Sequence, residues 1–381
     1  MKKSRTLLVS WLTLALAWAT CAFADQNGAI VFRGILVFDG ESVLSNVTVI
    51  IQGRTIQAVA AEAPPPKGAT ISKGEGMTLL PGLIDAHVHN GNEPLLLRQA
   101  AVFGVTTLLN MFTCTPQADV QFRKEQDAGL ATNRADLFTA GIGVTAKGGH
   151  GTQYGVDIPT LNNPADAQAF IDARIAEGSD YIKIILEPGE LNRRVPKPIP
   201  TLSPQTAAAA VAAAKRRGKL AVFHVGNEMS ARQALEAGAD GLAHIYASGR
   251  PNWEIARLAK AKGAFVVPTL TVLESFMEET PGGASLADDP RLAPYIQPDL
   301  LENLRRTLPK ARLGPAESYT VAVEMVRILK EVGVPILAGS DCDNIGTAHG
   351  VSLHRELELL VQAGLTPLEA LRAATSTTAF R

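Results

Sequence analysis

The sequence is poor in cysteine, has no excess of charge of either sign, and contains no long hydrophobic run beyond its N-terminal segment. Three cysteines in 381 residues are too few for a disulfide-stapled scaffold. The 36 lysines and arginines balance 37 acidic residues and form no basic stripe, which argues against nucleic acid as the main partner. With 46% hydrophobic residues, the chain can instead bury a sizeable globular core, so wholesale disorder is excluded.

The N-terminus has the pattern of a secretory signal peptide. Three basic residues lie within the first five positions, residues 7–19 are apolar, and Ala22-Phe23-Ala24 resembles a cleavage site. We expect residues 1–24 to be removed and the mature chain to be exported to the periplasm. The alternative is an uncleaved N-terminal anchor. No later stretch reaches about 18 apolar residues, so nothing after this segment is expected to span a membrane.

Residues 25–77 are predicted to form a small β-rich domain. Short runs of β-favouring residues lie between positions 29 and 51 and are separated by turn signals such as Asp39-Gly40. We interpret this region as part of a small N-terminal β-sandwich.

From Leu79 onward, short β-rich runs alternate with longer helical stretches, which is the pattern of βα units around a parallel sheet. The eight runs are Leu79–Ala86, Val105–Phe112, Asp136–Val144, Tyr181–Leu186, Leu220–Val225, Gly241–Ile245, Phe265–Val272 and Pro335–Gly339. We therefore predict an α/β fold, a TIM (β/α)8 barrel over residues 78–381. A proline-rich stretch near 280–315 has no clean period and is predicted to be an insertion, with a lid as one interpretation.

Two histidines stand at the end of the first predicted strand. His87 and His89 are two positions apart, so their side chains share one face of a strand. Two imidazoles that converge in this way form a metal-ligand pair, although an isolated H-x-H is as readily structural. Catalytic residues of a barrel collect at the C-terminal ends of its strands, and this position favours the metal site.

Lys183 lies in the middle of the fourth run, among apolar residues. A buried lysine is costly unless it is paired or neutral. A desolvated lysine would lose its proton easily and could react with carbon dioxide to form a carbamate, an anion able to bridge two metal ions. The alternative is a lysine whose ammonium group reaches the surface.

Single polar residues end three further runs, namely His224, His244 and Asp341. Taken alone, each histidine is better explained as a hydrogen-bonded core residue than as a ligand. On successive strands, however, the two would point into the same barrel mouth. Asp341 could bind metal there and take a proton from metal-bound water.

In this order, the motifs resemble those of the amidohydrolase superfamily. The resemblance rests on P-G-L-I-D-A-H-V-H at 81–89, the strand-four lysine, the two single histidines and A-G-S-D at 338–341. Y-I-K-I, P-T-L at 268–270 and H-G-V-S-L-H-R-E-L at 349–357 are similar to the binuclear branch with a carboxylated lysine. That branch includes the Xaa-Pro dipeptidases and imidazolonepropionase-related proteins.

The resemblance implies a site for two divalent ions, with zinc suited to imidazole and carboxylate ligands. The implied ligands are His87, His89 and Asp341 on one ion, His224 and His244 on the other, and carboxylated Lys183 between them. Carbon dioxide or bicarbonate would supply the carboxylation. A hydroxide bridging the ions would attack the scissile carbonyl, and Asp341 would pass its proton to the leaving amine. With carbamate, aspartate and hydroxide present, two divalent ions would leave about one positive charge to polarise that carbonyl.

The substrate pocket is predicted from weaker signals. His150 and Tyr154 follow the third run in a glycine-rich stretch and could donate hydrogen bonds to the substrate carbonyl, or else order the loop. Arg193 and Arg194 follow the fourth run and could bind a substrate carboxylate, or else lie exposed in solvent. Tyr246 is expected to line the pocket.

We therefore predict a metal-dependent hydrolase that cleaves an amide bond in a small-molecule substrate, a dipeptide or an N-acyl amino acid; a homo-oligomer is left open. A lactone or organophosphate ester is the alternative substrate for the same binuclear site. A mononuclear deaminase or cyclic-amidine hydrolase is a further alternative, because such enzymes often place a glutamate soon after the strand-five histidine, and Glu228 lies near His224. Lys183 separates these hypotheses, because a mononuclear site does not need it. A catalytically inactive scaffold is disfavoured because all six ligands are present.

The C-terminus departs from the pattern of the superfamily. Its members normally add strands after the last barrel helix, and these strands complete the sandwich. This chain ends at Arg381, so we expect the sandwich to lack its C-terminal half and residues 28–61 to have an unpaired edge. A truncated fragment is the favoured interpretation, and a partner that covers the edge is the other.

Overall fold

The computed structural model describes residues 28–91, 93–189, 198–277, 282–308 and 318–380. These residues form two compact units. One contains residues 28–38 and Val43–Leu79, and the other contains Asp39–Ser42 and the residues from Leu80 onward. The predicted signal peptide, residues 1–24, lies outside the described residues.

In the described residues, the first unit is a five-stranded sheet. Its strands are β1 Ile30–Phe38, β2 Val43–Gln52, β3 Thr55–Ala60, β4 Thr70–Lys73 and β5 Thr78–Leu79. β2 pairs antiparallel with β1 and β3, whereas β4 and β5 run parallel to β1. The β-favouring residues on the two sides of Gly34 form one strand, because Gly34, with φ 68°, carries β1 through a register shift. The β-sandwich stays a prediction.

The second unit has an α/β architecture with parallel sheets. Its strands are β6 Leu83–Val88, β7 Val105–Asn110, β8 Asp136–Thr139, β9 Ile182–Leu186, β10 Ala221–Val225, β11 Gly241–Ala243 and β12 Phe265–Val267. The order is β6-β7-β8 in one sheet and β9-β10-β11-β12 in the other. All neighbouring pairs in these two sheets are parallel, as the alternation of β-runs and helical stretches predicts.

Helices follow most of these strands along the chain. They are α1 Pro94–Val102, α2 Pro116–Asp127, α3 Ala167–Ala176, α4 Pro204–Arg216, α5 Glu228–Ala237, α6 Trp253–Lys262, α7 Leu270–Met277, α8 Gly282–Asp288, α9 Pro298–Arg305, α10 Tyr319–Val332, α11 Val351–Gln362, α12 Pro367–Ala373 and α13 Ser376–Ala379. Local sequence explains many of their ends. Asn227 and Ser230 form a capping box at the start of α5, and Gly238, with φ 94°, ends that helix. None of the helices in the described residues is both long enough and apolar enough to cross a bilayer.

The segment 335–342 lies between the two parallel sheets. Ile336 forms an isolated parallel bridge with Val266 of β12, and Cys342 forms one with Val88 of β6. On the other side, Val144 bridges to Ile184 of β9. The eighth predicted run, Pro335–Gly339, is therefore paired through bridges and not as a continuous strand. A Cβ at Gly339 would lie 2.9 Å from the Cβ of His87, so glycine permits the close approach of this segment to β6.

Several predicted strands are partly wrong at their ends. The run Leu79–Ala86 becomes a strand of the second unit only at Leu83, and the run Asp136–Val144 ends as a strand at Thr139. The run Phe265–Val272 ends as a strand at Val267, and α7 begins at Leu270. A buried carboxylate, together with a turn of the backbone, explains why this strand ends early and α7 begins at Leu270. Glu356 of α11 accepts hydrogen bonds from the backbone nitrogens of Leu270 and Thr271, at 3.1 and 2.8 Å, and so satisfies the first turn of α7.

The described part of the predicted insertion is helical and packed. α8 and α9 lie within it, and Ala287, Leu300 and Leu304 are buried in one cluster with Leu96 of α1 and Val351 of α11. A closing motion of this segment stays a prediction.

Candidate metal centre

The end of β6 and the segment 335–342 bring three potential ligands together. His87 Nε2 and His89 Nε2 lie 3.3 and 3.2 Å from Asp341 Oδ1. One donor atom from each residue falls within 4.8 Å of the other two, which is the spacing of a group that could hold a metal ion. We call these three residues the first triad. His87 lies in β6 and His89 directly follows it, and both rings converge on Asp341.

Asp85, two residues before His87, holds the first triad in place. Its Oδ1 accepts hydrogen bonds from the backbone nitrogens of Ser340 and His87, at 2.9 and 3.2 Å, and its Oδ2 accepts one from Ser340 Oγ at 2.5 Å. The side chain is fully buried, and burial raises the pKa of Asp85 to about 7. The carboxyl group therefore ties β6 to the residue that precedes Asp341.

Lys183 lies on β9 with its side chain buried. Its Nζ makes no hydrogen bond within the described part of the chain. Burial lowers the pKa of Lys183 to about 7, and the nearby charge of Asp341 opposes that shift. At neutral pH a large fraction of this amine is uncharged, which is the form that can react with carbon dioxide.

His224, on β10, and His244, directly after β11, face each other. His224 Nδ1 and His244 Nε2 are 3.2 Å apart. His244 Nδ1 lies 2.8 Å from Thr269 Oγ1, and the Thr269 hydroxyl donates to the carbonyl oxygen of Pro268. The hydroxyl has one proton to donate, so it accepts from His244 Nδ1–H, and His244 Nε2 keeps its lone pair for a metal ion. We call Lys183, His224 and His244 the second triad.

Burial keeps the imidazoles of His87, His224 and His244 neutral. Burial is the main cause that lowers the pKa of His224 to about 3 and that of His244 well below its usual range. The same cause acts on His87. A neutral imidazole, and not an imidazolium, is the form that binds a metal ion, so His87, His224 and His244 are in the ligand state across the physiological pH range.

The two triads form one continuous cluster. The ring centroids of His87 and His244 are 4.6 Å apart, and those of His224 and His244 are 4.5 Å apart. Asp341 reaches both sides, because its Oδ2 lies 3.8 Å from His244 Nδ1. Neither ring nitrogen of the buried His87 has a hydrogen-bond partner among the described residues. Buried polar groups are normally satisfied, so these donors fit divalent metal ions as their missing partners.

His150 lies beside the second triad, and Tyr154 lies farther from it. The His150 ring is 4.9 Å from the His224 ring, and burial lowers the pKa of His150 to about 3. Gln153 Oε1 accepts from the backbone nitrogen of Gly151 at 2.6 Å, which orients the amide so that its Nε2 donates to His150 Nδ1 at 2.9 Å. The neutral His150 ring therefore carries its proton on Nε2. Tyr154 is 55% exposed, with its ring 6.1 Å from that of His150.

The other predicted substrate residues are placed differently. Tyr246 is buried, and its hydroxyl donates to Met325 Sδ at 3.2 Å, an arrangement that favours packing over contact with a substrate. Arg193 and Arg194 lie outside the described residues. Their proposed role in binding a carboxylate stays a prediction.

Glu228, the residue behind the mononuclear alternative, begins α5 and has its own partners. Its Oε1 accepts from Asn252 Nδ2 at 2.7 Å and lies 3.7 Å from Arg232 Nη2. These contacts are with α6 and α5, so they do not favour the mononuclear interpretation.

Sequence reasoning assigned no function to Asp85, Thr269 or Glu187. Asp85 and Thr269 both occur inside motifs that carry the resemblance, so the motifs themselves were the available signal. Glu187 directly follows β9, and its side chain is 1% exposed. The position of Glu187, a carboxylate at the C-terminal end of an apolar strand, is the feature of the sequence that could have identified it as part of the site.

Comparisons with known proteins extend over most of the chain. The model of the amidohydrolase family matches residues 78–380. Ochratoxinase of Aspergillus niger is 24% identical over 396 aligned residues, which cover 92% of this chain and 76% of that protein. An uncharacterised protein of Mycobacterium tuberculosis is 25% identical over 316 residues, which cover 79% of this chain and 73% of its own length.

Solved structures show the same fold. A Xaa-Pro dipeptidase with bound methionine superposes with a TM-score of 0.71 and 22% identity, over 93% of this chain and 88% of its own. The structure of the A. niger ochratoxinase gives a TM-score of 0.68 and 20% identity, over 93% of this chain and 85% of its own.

Proposed function

The chain belongs to the amidohydrolase family, and from that premise we propose that it is a two-metal hydrolase that cleaves the amide bond of a dipeptide or an N-acyl amino acid. Membership of this family, together with the similarity to a Xaa-Pro dipeptidase and to ochratoxinase, supports metal-dependent hydrolysis of a carbon–nitrogen bond. The two-metal form, the substrate class and the roles of individual residues are the proposal. We include in it a closed (β/α)8 barrel in which segment 335–342 provides the eighth strand.

The observation that carries the two-metal form is the position of Lys183. It is buried, lacks a hydrogen bond in the described region, and lies close enough to His87 and His244 to lower the pKa of both. A lysine that stayed charged there would repel metal ions, whereas its carbamate would add a negative charge between the triads. A site that held a single ion at the first triad would not explain why the Lys183 side chain is buried at this position.

Different residues of the chain have different roles in the proposed reaction. When bound, two divalent ions would activate a water molecule and polarise the scissile carbonyl. Asp341, which faces both triads, is placed to take a proton from that water and return it to the leaving amine. His150 carries its proton on Nε2 and can donate it in a hydrogen bond to the carbonyl oxygen, while Tyr154 is placed farther out.

Metal analysis of the protein tests this function. Mature protein is expressed with added zinc and bicarbonate, and metal per chain is measured by elemental analysis. We expect about two ions per chain, and loss of one of them when carbon dioxide is removed during reconstitution. One ion per chain under all conditions would exclude the two-metal form. A library of dipeptides and N-acyl amino acids, read out by amine release, then tests the substrate class against lactones and phosphotriesters.

We also propose that the chain is exported and cleaved after Ala24. The basic, apolar and small-residue regions of residues 1–24 support this. N-terminal sequencing of protein recovered from the periplasm should begin at Asp25. A chain that retains Met1 in a membrane fraction would support an uncleaved anchor.

A further inference from the structure

This inference rests on the proposed function and concerns a residue outside the predicted ligand set. We propose that Glu187 is a positioning residue that keeps the proton of His224 on Nε2, so that Nδ1 presents its lone pair to a metal ion. Glu187 does not touch the reacting atoms in this proposal. It acts through the imidazole that it orients.

The two residues meet across neighbouring strands. Glu187 directly follows β9, and His224 lies near the end of β10, where it pairs in register with Ile185. Glu187 Oε2 lies 3.7 Å from His224 Nε2, and the two side chains are 1% and 14% exposed. Glu187 Oε1 accepts a hydrogen bond from the backbone nitrogen of Gly189 at 2.7 Å, which fixes the rotation of the carboxylate.

Without such a partner, His224 would favour the wrong tautomer. His244 Nε2 carries no proton, because His244 Nδ1–H donates to Thr269. His224 Nδ1, at 3.2 Å, could then donate its own proton to His244 Nε2. That hydrogen bond would occupy both lone pairs that a metal ion needs. A carboxylate at Nε2 shifts the proton to the far side of the ring and removes this competition.

The spacing of the two nitrogens agrees with a shared ion. Two nitrogens that each lie about 2.05 Å from a tetrahedral zinc ion are separated by about 3.3 Å. The observed 3.2 Å between His224 Nδ1 and His244 Nε2 fits this separation. Both histidines would then be oriented through their outer nitrogens, His244 by Thr269 and His224 by Glu187.

The neighbouring glycine leaves room for the carboxylate. A Cβ at Gly226 would overlap Glu187 Oε2. Gly226 is not among the residues with positive φ, so its backbone would accept alanine, and the collision falls on the end of the flexible Glu187 side chain. Gly226→Ala therefore moves the carboxylate away from His224 without removing its charge.

The test compares Glu187→Leu, Glu187→Gln and Gly226→Ala with the wild type, and uses Glu228→Gln as a matched control on the neighbouring helix. Zinc affinity is measured by competition with a chelator on bicarbonate-treated protein. We expect Glu187→Leu to weaken one of the two ions roughly 10- to 100-fold. Glu187→Gln keeps an oxygen acceptor and should recover part of that loss, Gly226→Ala should resemble Glu187→Leu, and Glu228→Gln should bind as the wild type. Wild-type affinity in Glu187→Leu would overturn the proposal.

A second measurement does not depend on metal loading. Long-range ¹⁵N–¹H spectra of the metal-free protein, labelled at histidine and assigned with His224→Ala, report which ring nitrogen is protonated. We expect Nε2–H on His224 in the wild type and Nδ1–H in Glu187→Leu. The same tautomer in both would overturn the role of Glu187. If wild-type protein binds one ion but the tautomer changes, the two-metal function fails while the positioning role stands.

Discussion

The first and second triads lie side by side but are assembled by different means. The first triad contains imidazole and carboxylate donors and is held by Asp85, which hydrogen-bonds across from β6 to Ser340. The second triad offers two imidazoles and an amine, and an unmodified amine has a single lone pair, so it could bridge two ions only as its carbamate. Folding alone therefore forms the first triad, whereas the second, under the proposed carboxylation of Lys183, would be completed only by a covalent modification. In the proposed two-metal form, loading of the ion at the second triad would therefore depend on carbon dioxide and pH, whereas loading of the ion at the first would not.

The most severe way to break the comparison is to remove Asp341, which belongs to the first triad and also lies 3.8 Å from His244 of the second. Asp341→Asn should reduce kcat/KM by two to four orders of magnitude, because the amide cannot accept the proton from water. The fold should stay intact, as judged by circular dichroism and thermal melting. The solvent-exposed substitution Asp157→Asn is the control and should leave turnover unchanged. Near-normal turnover in Asp341→Asn would exclude Asp341 as the proton acceptor.

Removing the amine should separate the triads. Lys183→Ala is expected to bind about one ion per chain in place of two, because the second triad loses its bridging ligand while the first keeps all of its donors. Lys183→Met should behave in the same way, since it preserves most of the buried volume and excludes a packing effect. Elemental analysis gives the count. Two ions retained by Lys183→Met would contradict the bridging role.

A milder change should weaken the second triad alone. Thr269→Val keeps the shape of the side chain but removes the acceptor for His244 Nδ1–H. We expect roughly tenfold weaker binding of one ion, with the affinity of the other unchanged. Chelator competition resolves the two affinities. An equal loss at both would show that the triads are coupled and that the distinction between them is wrong.

The smallest expected effect is that of pH on metal loading, which should differ between the two triads. With a pKa of about 7, Lys183 is neutral in about 90% of molecules at pH 8 and in about 10% at pH 6. At a fixed concentration of dissolved carbon dioxide, loading of the second triad should therefore slow about tenfold from pH 8 to pH 6. His224, with its pKa of about 3, stays neutral throughout and does not compete in this range. A decrease of about a hundredfold, which a lysine with its ordinary pKa would show, would contradict the lowered pKa.

Local rules in the sequence were sufficient to predict much of the candidate site. The alternation of a strand puts His87 and His89 on one face, and the common direction of parallel strands brings Asp341 to the same end. These rules need only the residues themselves and the strand assignment. For the same reason, the parallel α/β architecture of the second unit could be predicted from the alternation of β-runs and helices.

Other features depend on contacts that no local pattern records. The meeting of Glu187 with His224 requires the register between β9 and β10. Tyr246 was expected to line the pocket, but the backbone of His244 has a φ of 71°, so strand geometry ends there, and Tyr246 is buried against Met325. The early start of α7 depends on Glu356, which lies about 85 positions further along the chain.

The backbone at the centre carries a consequence for the evolution and engineering of the molecule. Among the described residues, the non-glycine positions with positive φ are Asn46, His244, Thr269 and Asp341. The last three belong to the centre, and left-handed backbone costs roughly 1–2 kcal/mol at each residue other than glycine. Glycine would relieve this strain at each position and abolish the ligand or its support. Selection for heat resistance alone would therefore erode the candidate metal centre first, and an ancestor or design that carries glycine at these positions should be tested for lost metal binding.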